Sequence, residues 1–232
     1  MRTGWATVII VVLAVITVLG VAWLQRPDDP VPQAGVPTAA QGTPDYDQAR
    51  ALLSQLPVKG WDRRSDFSRA AFGEAWSDDV DVEFGHNGCN TRDDILRRDL
   101  AALVVRPGTC YAQSGTLRDP YTGTGIAFVR GPATSGAVQI DHLVSLSDAW
   151  YKGARRWDPQ RRKDFANDPR NLLAVGAQVN SDKAFRDAAS WLPPEVGFRC
   201  EFVARQIGVK TTYGLWLSDK EKRAMSAVLW SC

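Results

Sequence analysis

An acid and an imidazole stand side by side at Asp141 and His142, after Val138–Ile140, which we predict to be a short strand. The 232 residues contain only two histidines, so this pairing is informative. Asn171 precedes a second short apolar segment, and Asn180 begins a predicted helix. A strand, a second strand and a helix can bring these four polar side chains to one place. The sequence therefore predicts a single site built from them.

The ligand types favour metal-assisted hydrolysis at this site. Asp141 and Asn180 offer hard oxygen donors, which suit Mg²⁺ best and Mn²⁺ as an alternative. Two protein ligands leave coordination positions for water and for a substrate phosphate. We assign His142 as a general base, because an imidazole with an ordinary pKa of about 6.5 is largely neutral near pH 7. His86 lies between glycines and is assigned mainly to a solvent-exposed loop.

Apolar periodicity and capping signals predict the elements that position these groups. Helices are predicted over residues 45–56, 91–100 (with Thr91 as N-cap), 146–154, 158–166, 180–191, 198–209 and 218–229. Strands are predicted over residues 103–105, 138–140 and 172–175, with a hairpin over residues 117–129. Residues 61–83 mix aromatic and charged side chains and are predicted to be mostly loop. The pattern is that of a mainly helical α+β domain with a small β-hairpin.

The N-terminal residues predict export from the cytoplasm. Residues 3–25 carry no charge and are almost wholly apolar, long enough to cross a hydrocarbon core of about 30 Å as a helix. Gly20-Val21-Ala22 offers a signal-peptide cleavage site as the alternative; a buried soluble helix is a third reading. We divide the chain into an anchor or signal segment (1–26), a flexible linker (27–44) and a domain (45–232). The domain is expected on the outer side of the cell membrane or secreted.

Four cysteines, Cys89, Cys110, Cys200 and Cys232, favour two disulfides in an exported domain. None belongs to a Cys-x-x-Cys pair, so a structural zinc site is not expected. Three connectivities exist, and we favour Cys89–Cys110 with Cys200–Cys232 because these pairings close the shorter loops. Free buried thiols are the alternative.

The formal net charge of +2 neither demands nor excludes a nucleic-acid partner, so the distribution of charge matters more. Positive charge is locally in excess between residues 150 and 170. A phosphate-contacting surface and an ordinary solvated helix face both explain this excess. This excess assigns Lys152, Arg155, Arg156, Arg161 and Arg162 to nucleic-acid contact, and Arg92 is added to them from the basic face of the helix predicted over residues 91–100.

The ordered set of Asp-His, Asn and Asn-x-x-Lys resembles the HNH, or ββα-metal, nuclease motif, in the variant that has asparagine in place of the last histidine. Over residues 61–232 the chain is similar to exported bacterial HNH proteins related to the C-terminal domain of GmrSD-type restriction enzymes. The segments that carry the likeness are Gly88-Cys89-Asn90-Thr91-Arg92, Asp119-Pro120-Tyr121-Thr122-Gly123, Ile140-Asp141-His142, Phe165-Ala166-Asn167-Asp168-Pro169, Asn171-Leu172-Leu173-Ala174-Val175, Trp191-Leu192-Pro193-Pro194 and Tyr213-Gly214-Leu215-Trp216.

This resemblance implies a ββα-metal core inside the domain and divalent-metal nuclease chemistry. By the same resemblance His142 is the general base, Asp141 and Asn180 are metal ligands, and Asn171 orients the base. Lys183 takes the place of a lysine near the substrate. A monomer without an organic cofactor is expected, with DNA favoured over RNA as substrate.

One departure from the family pattern is visible directly after that lysine. Ala184-Phe185 stands where the family leads us to expect Gly-Asp, which affects local contacts rather than the metal ligands. Two other functions stay open: a non-enzymatic envelope-binding module with a degenerate nuclease fold, and a phosphoesterase for small substrates. We favour the endonuclease, because a degenerate member would be expected to lose at least one of Asp141, His142 and Asn180.

Overall fold

Helices and small antiparallel sheets alternate along the chain in a computed structural model that describes residues 45–62 and 65–232. The predicted anchor or signal segment and the linker lie outside these described residues. Within the described ranges, no helix has both the length and the apolar character that crossing a membrane requires. The described residues belong to one compact unit.

The described part of the chain contains seven α-helices and five strands. The helices are α1 (Tyr46–Gln55), α2 (Thr91–Asp99), α3 (Leu146–Tyr151), α4 (Pro159–Asn167), α5 (Ala177–Lys183), α6 (Arg199–Tyr213) and α7 (Asp219–Trp230). The strands are β1 (Ala101–Val105), β2 (Ala112–Arg118), β3 (Gly125–Val129), β4 (Val138–His142) and β5 (Leu172–Gly176). The fold is thus mixed α+β.

Side-chain caps explain where several helices begin. Asp158 accepts a hydrogen bond from the Arg161 amide ahead of Pro159, and Ser218 forms the predicted capping box with Glu221. At α2 the predicted cap is wrong by one residue, because the Asn90 side chain accepts from the Asp93 amide. The Thr91 hydroxyl instead donates to the Ser77 carbonyl.

The helix predicted over residues 180–191 is wrong at both ends. Helix α5 begins at Ala177, directly after β5, and ends at Lys183. Ala184 has φ 51° and ψ −125°, a conformation that stops the helix and that favours glycine. The side chain of Lys183 is fully buried, so contacts to the rest of the fold, rather than local propensity, determine this helix end.

The predicted hairpin is part of a larger sheet. Strands β1, β2 and β3 form a three-stranded antiparallel sheet in that order, and β4 pairs with β5 in a separate antiparallel ribbon. The ribbon is buried because both of its faces are covered. Val138 and Ile140 pack in a cluster that includes Leu96 of α2, while Leu173 packs in a cluster that includes Phe202 of α6.

Both favoured disulfides are present, Cys89–Cys110 and Cys200–Cys232, and no described cysteine is free. Cys89–Cys110 joins the loop before α2 to the loop between β1 and β2. Cys200–Cys232 joins the first turn of α6 to the second residue after the end of α7.

Candidate functional site

Strand geometry sends the two adjacent residues of the Asp-His pair to opposite faces of the β4–β5 ribbon. Asp141 is paired with Leu173 and His142 with Leu172 in the antiparallel register. Successive side chains of a strand point to opposite faces. Asp141 therefore lies on the face that carries Leu173, and His142 on the face that carries Leu172. The two groups meet different partners although they are neighbours in sequence.

Asp141 is held by two buried donors. The hydroxyl of Tyr121 donates to Asp141 Oδ2 at 2.6 Å. The ammonium of Lys183 lies 3.1 Å from Oδ1 and 2.9 Å from Oδ2, and also donates to the main-chain carbonyl of His142 at 2.8 Å. Burial and the neighbouring Asp141 carboxylate raise the pKa of Tyr121 well above its usual value, so its hydroxyl stays a donor. The carboxylate is thus fixed and charge-compensated. The prediction that Lys183 contacts the nucleic acid is wrong, because its side chain is fully buried in these contacts.

Helix α5 lies along the same face of β4 and places Asn180 beside the acid. Asn180 Nδ2 donates to Gln139 Oε1 at 2.7 Å. Gln139 precedes Asp141 by two residues on the strand, and Asn180 precedes Lys183, the partner of Asp141, by three residues on the helix. Residues two apart on a strand and three apart on a helix share a face, so Gln139 and Asp141 match Asn180 and Lys183. The strand, strand and helix predicted from sequence thus bring Asp141 and Asn180 to one surface.

His142 is oriented by a main-chain carbonyl and by an aromatic ring. Its Nε2 lies 2.9 Å from the Ala166 carbonyl, one of the last carbonyls of α4 that the helix itself leaves without a partner. The indole of Trp76 stacks on the imidazole at 6.0 Å between centroids and an interplanar angle of 13°. A carbonyl only accepts hydrogen bonds, so Nε2 carries the proton and neutral His142 presents the lone pair of Nδ1.

The surroundings keep His142 neutral. Burial lowers the pKa of His142 to about 3; the hydrogen bond to Ala166 opposes this shift, while the positive charges of Arg69 and Lys183 add to it. Among the described residues, no group forms a hydrogen bond with Nδ1. At neutral pH the imidazole is therefore an unprotonated base.

Asn171 is fully buried and braces the main chain that follows His142. Its side-chain oxygen accepts from the Val144 amide at 2.8 Å, and its Nδ2 donates to the Val144 carbonyl at 3.2 Å. Its own carbonyl accepts from the Leu143 amide at 2.8 Å. Asn171 therefore acts on the backbone beside the base, and the contacts to the imidazole itself come from Ala166 and Trp76.

A pocket of about 370 Å³ is lined by residues from both faces of the β4–β5 ribbon. Asp141, His142 and Asn180 all line it, so three of the four predicted site residues border one space. Its other lining residues are Arg69, Trp76, Arg92, Gln139, Ile140, Ser145, Leu146 and Ala184. Because Lys183 compensates Asp141, the two arginines leave the lining with excess positive charge. The pocket suits an anion.

The oxygen donors at this pocket are of the kind that Mg²⁺ accepts. With Nδ2 of Asn180 bound to Gln139, the amide oxygen of Asn180 is free to coordinate an ion. Asp141 Oδ1 receives one hydrogen bond, so one of its lone pairs remains. In the described chain no cluster of three or more His, Cys, Asp or Glu side chains has metal-binding geometry. The donor set therefore fits a cation that keeps most of its water shell.

The basic residues predicted between 152 and 162 are used elsewhere in the fold. Lys152 is fully buried against Asp187 and Glu221, so the prediction that it contacts nucleic acid is wrong. Arg155 pairs with Asp66. The other three contact the protein itself: Arg156 lies over Trp216, Arg161 donates to the Tyr213 carbonyl, and Arg162 donates to the Ala71 carbonyl. None of the five lines the pocket around His142.

Sequence reasoning missed three residues of the site. Trp76 has φ 61°, a strained conformation for a bulky residue, and belongs to the segment predicted to be loop. Arg69 comes from the 3-10 helix Arg69–Phe72 in the same segment. Tyr121 lies in the turn between β2 and β3, within a segment quoted for the family resemblance. Only this last segment carried a sequence signal.

The chain matches one family model and a curated relative. Residues 90–228 match the family described as GmrSD restriction endonucleases, C-terminal domain. An uncharacterized secreted protein of Arthroderma benhamiae is 35% identical over 201 residues, which cover 86% of this chain and 91% of that protein. No solved structure matches the chain significantly.

Proposed function

Because the chain belongs to the family of GmrSD restriction endonuclease C-terminal domains, we propose that it is an exported, divalent-metal-dependent nuclease that hydrolyses phosphodiester bonds of DNA. We assign its strand–strand–helix unit, β4, β5 and α5, as an HNH-type core. Within this core His142 is the general base. Asn171 is a positioning residue, since its contacts fix the backbone that follows the base.

The observation that carries this proposal is the tautomer of His142. Its Nε2–H is committed to the Ala166 carbonyl, which leaves Nδ1 as an acceptor in a residue that lines an anion-compatible pocket. A water that donates a hydrogen bond to Nδ1 is activated for attack on phosphorus. Its oxygen forms the new bond to phosphorus, its proton goes to Nδ1, and the bond to the leaving oxygen breaks with its electron pair on that oxygen.

Asp141 and Asn180, which line the same pocket as His142, would hold the metal ion. When bound, a divalent cation supplies Lewis-acid stabilisation of charge on the phosphate and the leaving oxygen. The contacts of this chain set the conditions for binding: Tyr121 and Lys183 fix the carboxylate, and Gln139 fixes the amide of Asn180. Mg²⁺ is the favoured ion because both donors are hard oxygens.

Three observations support an extracytoplasmic location. The related Arthroderma benhamiae protein is named a secreted protein. Two disulfides close the described domain, as is typical of oxidising compartments. The third observation is the uncharged apolar run over residues 3–25, which acts either as a membrane anchor or as a cleaved signal.

Plasmid cleavage by wild type and by His142→Ala tests this proposal. We expect wild-type protein to nick plasmid DNA with Mg²⁺ or Mn²⁺ and to lose activity in EDTA. His142→Ala should lower the rate by about 10²- to 10⁴-fold, which is the usual range for loss of a general base. Direct metal titration should show that this variant keeps its metal affinity, whereas Asp141→Ala should bind metal more weakly.

The chain offers a matched control in its other histidine. His86 is exposed and pairs only weakly with Asp81 at 3.4 Å, so His86→Ala should cleave at the wild-type rate. Thermal melts of both variants check that the fold is intact. Wild-type cleavage by a folded His142→Ala protein would show that this histidine is not the base.

A further inference from the structure

Arg69 lines the pocket, and its guanidinium has no hydrogen-bond or ion-pair partner among the described residues. It lines the pocket of about 370 Å³ together with His142, and also an adjoining cavity of about 20 Å³. Its side chain forms no hydrogen bond or ion pair with the described part of the protein, and the residue is exposed. The other arginine of the pocket, Arg92, donates to the carbonyls of Ser135 and Val138 at 3.1 and 2.9 Å.

The backbone that carries Arg69 is nevertheless fixed. Phe72, in the same 3-10 helix, is buried and packs against Trp150 and Phe165, with ring centroids 6.0 and 6.1 Å apart. Arg69 and His142 line the larger pocket together, and both also line the smaller adjoining cavity. A free guanidinium on an anchored backbone therefore borders the same spaces as the base.

The charge balance of the pocket lining supports an anionic partner for this guanidinium. The Asp141 carboxylate is compensated by Lys183 at 2.9 Å, and no other carboxylate lines the larger pocket. Glu74 lines the smaller adjoining cavity and not the larger pocket. A planar guanidinium matches two phosphate oxygens with parallel hydrogen bonds.

We infer that Arg69 contacts the non-bridging oxygens of the phosphate that undergoes hydrolysis. This assignment rests on the proposed nuclease function and makes Arg69 a catalytic residue beside His142. No bond to Arg69 forms or breaks. As water adds to phosphorus, negative charge grows on these oxygens, so the contact is stronger in the transition state than in the bound substrate. The loss of Arg69 should therefore lower kcat more than it raises KM.

Two substrates distinguish the reacting phosphate from flanking ones. Labelled duplex DNA carries many phosphates, whereas bis(4-nitrophenyl) phosphate carries one. Arg69→Gln should lower kcat/KM about 10- to 100-fold on both, as expected for a charge-assisted contact. Arg69→Lys keeps the charge without the planar fork and should lie between wild type and Arg69→Gln. A loss on DNA alone would assign Arg69 to the flanking backbone and overturn the inference.

Arg118→Gln is the matched control, because it removes the same charge from an exposed arginine that is not part of the pocket lining. It should change kcat/KM by less than about twofold on either substrate, as expected for an exposed surface charge screened by salt. An equal loss in Arg118→Gln and Arg69→Gln would mean that only net charge matters, which contradicts a specific contact. Since Arg69 is exposed, both variants should keep the wild-type melting temperature.

A binding measurement separates this inference from the nuclease proposal. Isothermal titration of metal-free protein with thymidine 3′,5′-bisphosphate should show about tenfold weaker binding by Arg69→Gln and unchanged binding by Arg118→Gln. If wild type binds this probe through Arg69 but cleaves neither substrate, the anion contact stands and the nuclease function fails. If wild type and Arg69→Gln bind the probe equally, the inference is wrong even for an active nuclease.

Discussion

Two regions of the molecule bury lysine ammonium groups completely, and they use them differently. In the site pair, Lys183 meets the single carboxylate of Asp141 at the edge of the pocket. In the closed network, two lysines meet three carboxylates. Its members are Lys152, Lys210, Asp148, Asp187 and Glu221. All three lysines are fully buried, so each carries the free-energy cost of removing its charge from water. The groups around each lysine therefore decide whether the ion pair stabilises the fold.

The closed network joins elements that are far apart in sequence. Lys152 lies 2.5 Å from Asp148 and 2.6 Å from Glu221 of α7, while Lys210 of α6 lies 2.8 and 2.9 Å from the same two carboxylates. Asp187 lies 2.8 Å from Lys152. Every member therefore has an opposite charge at contact distance, and helices α3, α6 and α7 are tied together.

The site pair instead leaves an acceptor lone pair beside the pocket of about 370 Å³. Asp141 keeps one lone pair on Oδ1 and borders the pocket, whereas Glu221 and both lysines of the closed network are fully buried. The comparison indicates that the same ion-pair chemistry joins helices where it is closed and leaves a carboxylate at the pocket where it is open.

Lys152→Met should have the largest effect on stability. It leaves Asp148 and Glu221 with Lys210 alone and takes the ammonium partner away from Asp187, and the loss of one partner from a buried ion pair typically costs about 3–5 kcal/mol. Urea unfolding measures this change in the free energy of unfolding. The matched control is Lys220→Met, an exposed position at the start of α7, which should be neutral. Equal stability of the two variants would contradict a stabilising role of the closed network.

Lys183→Met should lower the free energy of unfolding less than Lys152→Met does, but it should change the metal affinity of the site. Asp141 keeps the Tyr121 hydroxyl and borders the pocket, so water can solvate the freed charge. We expect a loss of about 1–3 kcal/mol in the free energy of unfolding, as for a buried group that loses one partner. Metal titration should show an altered affinity, because the ammonium no longer compensates Asp141. A stability loss equal to that of Lys152→Met would remove the distinction between the two regions.

Ala184→Gly should stabilise the protein next to the site pair. Ala184 has φ 51° and ψ −125°, and relief of such strain is worth about 1 kcal/mol after the entropy of glycine is counted. Thermal melts and urea unfolding measure the gain. Ala177→Gly, in the regular first turn of α5, should destabilise instead. A loss of stability at both positions would show that Ala184 is not strained.

Glu221→Gln should have the smallest effect at neutral pH and a distinct pH dependence. Burial raises the pKa of Glu221 above its ordinary value, although the two lysines oppose this shift. The folded state then binds a proton more tightly than the unfolded state, so the wild type loses stability as pH rises from about 4.5 through the raised pKa. Glutamine cannot ionise, so the variant should lose less stability than wild type across this window. Unchanged slopes would mean that Glu221 is ionised like an ordinary surface acid.

The sequence predicted those parts of the molecule that depend on local signals. The Asp158-Pro159 start of α4 and the Ser218 capping box are set by residues within one turn, and both are present. Strands β4 and β5 were predicted because their apolar runs are short and bounded by turn residues.

Contacts between distant segments could not be predicted in this way. The partners of Lys152 include residues 35 and 69 positions away, so an apparently basic surface run hides a buried lysine. Trp76 reaches His142 from a segment without apolar periodicity, and its positive φ has no sequence signature for tryptophan. The same limit applies to Arg69, whose place in the pocket depends on how that segment folds back.

The hydrogen bond from His142 to the carbonyl of Ala166 has a consequence for how the site can change over evolutionary time. The acceptor is a main-chain atom, so no substitution at position 166 deletes it. A point mutation of Ala166 therefore does not change which nitrogen of the imidazole carries the proton. Only an insertion, a deletion or a proline that displaces the last turn of α4 would release it. A lineage could therefore vary the side chains around this histidine widely and still inherit the same tautomer.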